Sequence, residues 1–162
     1  MAAFLKPTLG SPGRVSRPGE TLIVTAMLHE ENPPDAFGIP VKLVDGKLQK
    51  MEASDTGDDV FGILGLVTPS QSDPDDPNKP NATTKQSVVV KGYVNVKCAS
   101  GGQPVRGSTV YMRTNINAAG TEFPGLISAK KSSANFSGIK SAVWTSDGKD
   151  ENLIAELRLG KY

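Results

Sequence analysis

Sulfur and imidazole chemistry are nearly missing from this chain. One cysteine, Cys98, leaves no internal disulfide, and with one histidine, His29, there is no Cys/His cluster to hold a structural zinc. Stability must come from packing or from partners. The most apolar stretch, residues 60–67 (VFGILGLV), is eight residues long. A bilayer needs about 20, so the stretch reads as a buried strand and no membrane partner is expected. Aromatic residues are 6% of the chain, too few for the stacking platforms that bind single-stranded nucleic acid. Charge of one sign is absent too: 18 basic against 17 acidic residues leave a formal net charge of +1 and no overall field. Lys6, Arg14 and Arg17 and the pair Lys130-Lys131 are the basic groupings, and no nucleic-acid partner is expected.

Catalytic signatures are equally scarce. No serine has glycine two residues before and two after it, which the strained elbow of a serine hydrolase requires. A Cys98–His29 dyad is the only thiol mechanism on offer, and it competes with a simpler account. Cys98 continues the apolar face of a strand as a small hydrophobe, and His29 lies where a strand enters a turn. Residues 102–109 (GQPVRGST) have the glycine spacing of a phosphate loop but lack its lysine, and a strand follows instead of a helix, so a hairpin turn is expected. Asp73, Asp75 and Asp76, and likewise Asp55, Asp58 and Asp59, form no complete calcium ligand set and read as solvated turns. No catalytic residue, metal site or cofactor is expected, and the chain is read as a non-enzyme.

What is present suits one domain. The 162 residues, 17.1 kDa, are of single-domain size, and Leu, Ile, Val and Phe make up about 23% of them, above the roughly 20% below which disorder is expected. The opening Met1-Ala2-Ala3-Phe4-Leu5-Lys6-Pro7 has no basic region followed by an apolar core, so synthesis in the cytoplasm is expected. The acceptor patterns at Asn81 and Asn135 are then not expected to be glycosylated.

Residues 1–20 hold Pro7, Pro12, Pro18, Gly10, Gly13 and Gly19, a composition that breaks helices and cannot alternate cleanly as a strand. They read as an extended N-terminal arm. Its Phe4, Leu5, Leu9 and Val15 are apolar, so it is packed either on its own domain or on another subunit.

Beyond it, residues 21–162 read as a β domain. Residues 21–27 form a strand, and residues 41–44 and 47–51 form a hairpin around Asp45-Gly46, a dipeptide suited to a type I′ turn. Gly38, Ile39 and Pro40 are expected to shape a core turn. Residues 60–67 follow as a central strand, and residues 69–85, with four prolines and three aspartates, as a long exposed loop. In residues 87–98 the even positions Val88, Val90, Val94, Val96 and Cys98 predict one buried face for the whole length, with Gly92 permitting a bend. Residues 108–114 are the next strand. Residues 115–137 are irregular, with a short helix near Leu126-Ile127. Residues 139–145 and 153–159 make a closing hairpin. The fold class expected is mainly β, a single compact sandwich or barrel-like domain with an extended arm and a long Pro/Asp-rich loop.

In combination, these residues resemble the structural cement, or capsid decoration, proteins of tailed bacteriophages. The resemblance is carried by Phe4-Leu5-Lys6-Pro7, by Gly13-Arg14-Val15-Ser16-Arg17-Pro18, and by Ala36 through Val44 leading into the Asp45-Gly46 hairpin. Val60-Phe61-Gly62-Ile63-Leu64, Lys91-Gly92-Tyr93 and Val110 through Arg113 extend it over nearly the whole chain.

It implies a virion protein on the capsid exterior that bridges major capsid subunits and stabilises the expanded shell. The partners implied are the major capsid protein and neighbouring cement subunits, as a homo-oligomer on the capsid. The arm residues expected to make these contacts are Phe4, Leu5, Lys6, Pro7, Leu9, Arg14, Val15, Arg17 and Pro18. The alternative is a β-sandwich binding module on the virion that recognises carbohydrate or a host surface, with the 69–85 loop as its tip and Trp144 as the one tryptophan available.

Overall fold

The computed structural model describes residues 10–131 and 134–160. Its nine strands are β1 (Leu22–Ala26), β2 (Pro40–Val44), β3 (Lys47–Lys50), β4 (Gly62–Gly65), β5 (Gln86–Lys97), β6 (Thr109–Arg113), β7 (Ile127–Ser128), β8 (Phe136–Trp144) and β9 (Ile154–Leu159). They form one curled antiparallel sheet, a half-barrel, in the order β3-β2-β4-β5-β9-β8-β6-β7, with β1 pairing β5 off this path. The mainly β, barrel-like expectation is met. Two 3-10 turns, Pro18–Glu20 and Pro69–Gln71, are the helical segments of the described residues, and no helix there is long and apolar enough to cross a membrane.

Strand β5 organises the sheet. Its first half is flanked on one edge by β1 and on the other by β4, since Val88 and Val89 have partners in both strands. Its second half pairs with β9 from Gly92↔Leu159 to Lys97↔Ile154. Beyond β5, Cys98 bridges to Ile127 of β7, which curls the sheet back on itself, and Leu28 bridges to Leu48 of β3 at the other end.

Two apolar clusters fill the curl. Met51, Ile63, Val89, Val94, Val96, Cys98, Val110, Met112, Ile127, Ile139, Trp144 and Leu157 belong to the larger one, and Leu28, Phe37, Val41, Leu48, Leu64 and Val88 to the smaller.

The expectation of one buried face along β5 is corrected here. Val88 lies in the smaller cluster while Val89 joins Val94 and Val96 in the larger. The buried set thus changes parity between Val89 and Val94, an odd separation that a regular strand cannot give. Gly92, at φ 111, takes up the irregularity. A side chain there would also collide: its Cβ would stand 2.7 Å from Thr21 Cα and 2.8 Å from the Glu20 carbonyl oxygen.

Other local readings hold. Asp45 (φ 50) and Gly46 (φ 76) form the type I′ turn between β2 and β3. Val110 and Met112 are fully buried on β6, and β8 and β9 close the sheet from Ala142↔Leu159 to Trp144↔Leu157.

Three expectations are corrected. The helix near Leu126-Ile127 is instead β7, because Ile127 pairs with Met112 and bridges Cys98. Residues 102–109 are a link rather than a hairpin, since β5 and β6 are not paired to each other. The 69–85 loop is mostly exposed but folded on itself, with Gln71 and Pro80 buried and Ser72 bridged to Pro80.

Candidate functional site

Of the nine arm residues, Phe4, Leu5, Lys6, Pro7 and Leu9 lie outside the described residues, while Arg14, Val15, Arg17 and Pro18 lie within them. Residues 13–16 run beside the second half of β5, on the edge opposite β9. Gly13 N–H donates to the Asn95 carbonyl (2.8 Å), Asn95 N–H to the Arg14 carbonyl (2.9 Å) and Ser16 N–H to the Tyr93 carbonyl (3.3 Å). The Gly13 carbonyl accepts from Leu66 N–H at 3.0 Å, so the segment is stitched to two parts of the sheet.

Glycine at position 13 is what permits this approach. A Cβ there would lie 2.9 Å from the Leu64 carbonyl oxygen and from Phe37 Cβ, and one at Gly38 would lie 2.7 Å from Pro12 Cβ. Gly38 therefore serves as the seat of the arm root as well as part of a turn. Val15 packs against the larger cluster.

Arg17 is held by its own domain. Its Nη2 donates to Glu156 Oε1 at 3.1 Å, and its guanidinium carbon stands 4.2 Å from the centre of the Tyr93 ring. Arg14 and Pro18 are exposed. They line an open groove of about 330 Å³ with Val15, Thr21, Ile23, Leu66 and Val67. A second groove of about 350 Å³ is lined by Glu20, Lys91, Gly92, Tyr93, Arg158, Leu159 and Gly160. The Pro18–Glu20 turn contributes to both. Tyr93, Glu156 and Leu66 carry no sequence signal for such a role, because their partners are distant in the chain; the one hint was the arm's own apolar and basic residues.

The other candidates resolve into structural roles. Trp144 is fully buried in the larger cluster, so it presents no aromatic platform. His29 Nδ1 accepts from the backbone N–H groups of Glu31 (3.3 Å) and Asn32 (3.4 Å) in its turn. Cys98 is buried, and burial pushes its thiol up to about 12. The turn that leads into the 102–109 link closes on a cation: Lys149 Nζ donates to the carbonyls of Ala99 (2.8 Å), Ser100 (2.7 Å) and Gly102 (2.8 Å). A turn that aims carbonyls inward is the reverse of a phosphate cradle.

The aspartates are occupied in turns and ion pairs. Asp73 Oδ1 accepts from Asp75 N–H, Asp76 Oδ1 from Asn78 N–H, and Asp58 pairs with Lys140. Asp55 and Glu52 both hold Lys42, at 2.8 and 2.7 Å.

With this geometry in hand, three comparisons bear on the chain. Residues 5–160 match a family of structural cement proteins (E217 gp24/Pam3 gp6). A solved chain from the capsid of Myoviridae phage XM1 superposes with a TM-score of 0.71, covering 99% of this chain and 96% of that one at 15% identity, which is a likeness of fold. No curated protein matches.

Proposed function

From the premise that this chain belongs to the phage structural cement protein family, which its match over residues 5–160 establishes, we propose that it binds the outer surface of a phage head, bridging major capsid subunits and stabilising the expanded shell. That match is the observation that carries the reading. The work asked of such a protein is interfacial and needs no catalysis. A clamp that contacts several subunits adds free energy only to the assembled shell, which shifts the equilibrium away from disassembly. Many identical sites let modest contacts per copy add up.

On this reading the arm divides its labour. Val15 and Arg17 anchor its root to the half-barrel, through the larger cluster and through Glu156 and Tyr93. Phe4, Leu5, Lys6, Pro7 and Leu9, ahead of that anchor, contact capsid protein or a neighbouring cement subunit, and Arg14 and Pro18 contribute from the groove they line. Proline pre-sets φ and lowers the entropy lost when an extended segment docks.

The test is cosedimentation with expanded, undecorated heads, using the full chain and a chain lacking residues 2–9, which leaves the stitched segment 13–16 intact. Saturable binding at a fixed ratio to capsid subunits, lost with the truncation, is expected. Full retention of binding by the truncated chain would reject the arm's role, and absence of binding by the full chain would reject the reading as a whole.

A further inference from the structure

Strand β1 is the one named strand with a partner on a single edge among the described residues. The outer edge of β3 is covered by Met27 and His29, which bond to Leu48, and that of β7 by Cys98 and Ala99. Nothing covers β1. Leu64 spends its N–H and carbonyl on Ile39 and Gly38, so the β4 residues bonded to β5 are Ile63 and Gly65, opposite Val89 and Ser87. Val88 therefore faces β1 and is bonded to Val24, and the N–H and carbonyl groups of Ile23 and Thr25 point away from the sheet.

Soluble proteins blunt such an edge with charge, proline or a bulge. In β1, the run LIVTA has neither charge nor proline, the one bulge in its pairing puts the extra residue, Val90, in β5, and Leu22 and Val24 are 56% and 37% exposed.

We propose that this edge pairs with the same edge of a second copy, antiparallel across a two-fold axis at Val24. Self-pairing suits the strand because it sets no like charges opposite each other. Its flanks allow it. At the start of β1 exposed Glu20 stands with Lys91, and Arg17 is paired to Glu156. Beyond its end Glu30 is paired to Lys47, so an antiparallel pair sets no block of one charge beside its like. Ile23 then bonds Thr25 of the second copy, and the two Val24 residues form the closely spaced, non-hydrogen-bonded pair. Five residues span about 17 Å, so the seam is weak in free solution and gains where a lattice holds neighbours together.

Covalent trapping tests it. Val24→Cys in the full chain is oxidised and run on a denaturing gel beside Val105→Cys, an exposed position far from the seam in sequence; native Cys98 is buried and inert. Covalent dimer is expected at least roughly tenfold faster for V24C, falling to the V105C rate when Thr25→Pro, which removes an N–H not bonded to β5, is added. Equal rates for V24C and V105C, or no effect of T25P, would overturn the seam. Head binding by a Val24→Lys chain is read separately: retained binding with lost trapping leaves the cement reading intact. Lost binding by V24K together with equal trapping rates would assign the edge to capsid protein instead.

Discussion

At the scale of single residues, the fold depends on places where only one side chain, or none, fits. Gly92 and Gly46 separate two costs that are easily confused. Both have positive φ, but a Cβ at Gly46 meets nothing within 4 Å, whereas one at Gly92 meets the backbone of Glu20 and Thr21. Gly46→Ala should cost about 1 kcal/mol, the price of backbone strain alone, and Gly92→Ala about 2–3 kcal/mol, both read from urea midpoints at constant slope.

Cys98 carries a pH prediction. Burial raises its thiol from 9.0 to about 12, so above pH 9 the folded chain keeps a proton that the unfolded chain has released. Stability should therefore fall as pH climbs from about 9 toward 12, and Cys98→Ala should flatten that slope. Lys42 adds to the fall at higher pH. Burial alone would lower it, but hydrogen bonds to Asp55 and Glu52 hold it above 10.5. At pH 8 the folded chain should resist iodoacetamide until urea opens it, as mass spectrometry of the thiol would show. Cys98 as a buried hydrophobe was legible from its even position on a strand. The seat that Gly38 offers to Gly13 was not, because it joins segments with no shared periodicity.

At the scale of elements, alternation and turn chemistry exposed most strands, and the errors have physical causes. The β2–β3 hairpin was legible because Asp45-Gly46 fixes its own turn. The parity change within β5 was not: valines at 88, 89 and 90 satisfy either face, and only packing against two separate clusters decides between them. Strand β7 was mistaken for a helix because two residues show no period.

The 69–85 loop was legible as a loop from its prolines, but its internal order rests on two glutamines. Gln71 Oε1 accepts from the N–H groups of Val67 (2.9 Å) and Thr68 (3.1 Å), and its Nε2 donates to Ser87 Oγ at 2.6 Å. Gln86 Nε2 donates to the carbonyls of Gln71 (2.9 Å) and Asn81 (2.8 Å). Gln86→Ala leaves both carbonyls without this donor, at a cost of about 1–3 kcal/mol. Limited proteolysis should then cut within residues 72–85 faster than in the parent chain, while hydrogen exchange in β8 and β9 stays unchanged.

At the scale of the whole molecule, the chain is a half-barrel whose N-terminal segment is sewn to β5 before it can reach elsewhere. Fold class and family were legible because length, alternation and a chain-long set of short motifs agreed with one another. The anchoring of the arm root was not, since it depends on backbone hydrogen bonds between residues 13–16 and 93–95 and on Arg17 meeting Tyr93 and Glu156.

Stabilisation of the expanded shell by bound copies is read from the thermal disruption of expanded heads, followed by light scattering, with and without saturating protein. A higher disruption temperature that rises with occupancy until the sites are full is expected. An unchanged temperature at demonstrated full occupancy would contradict it.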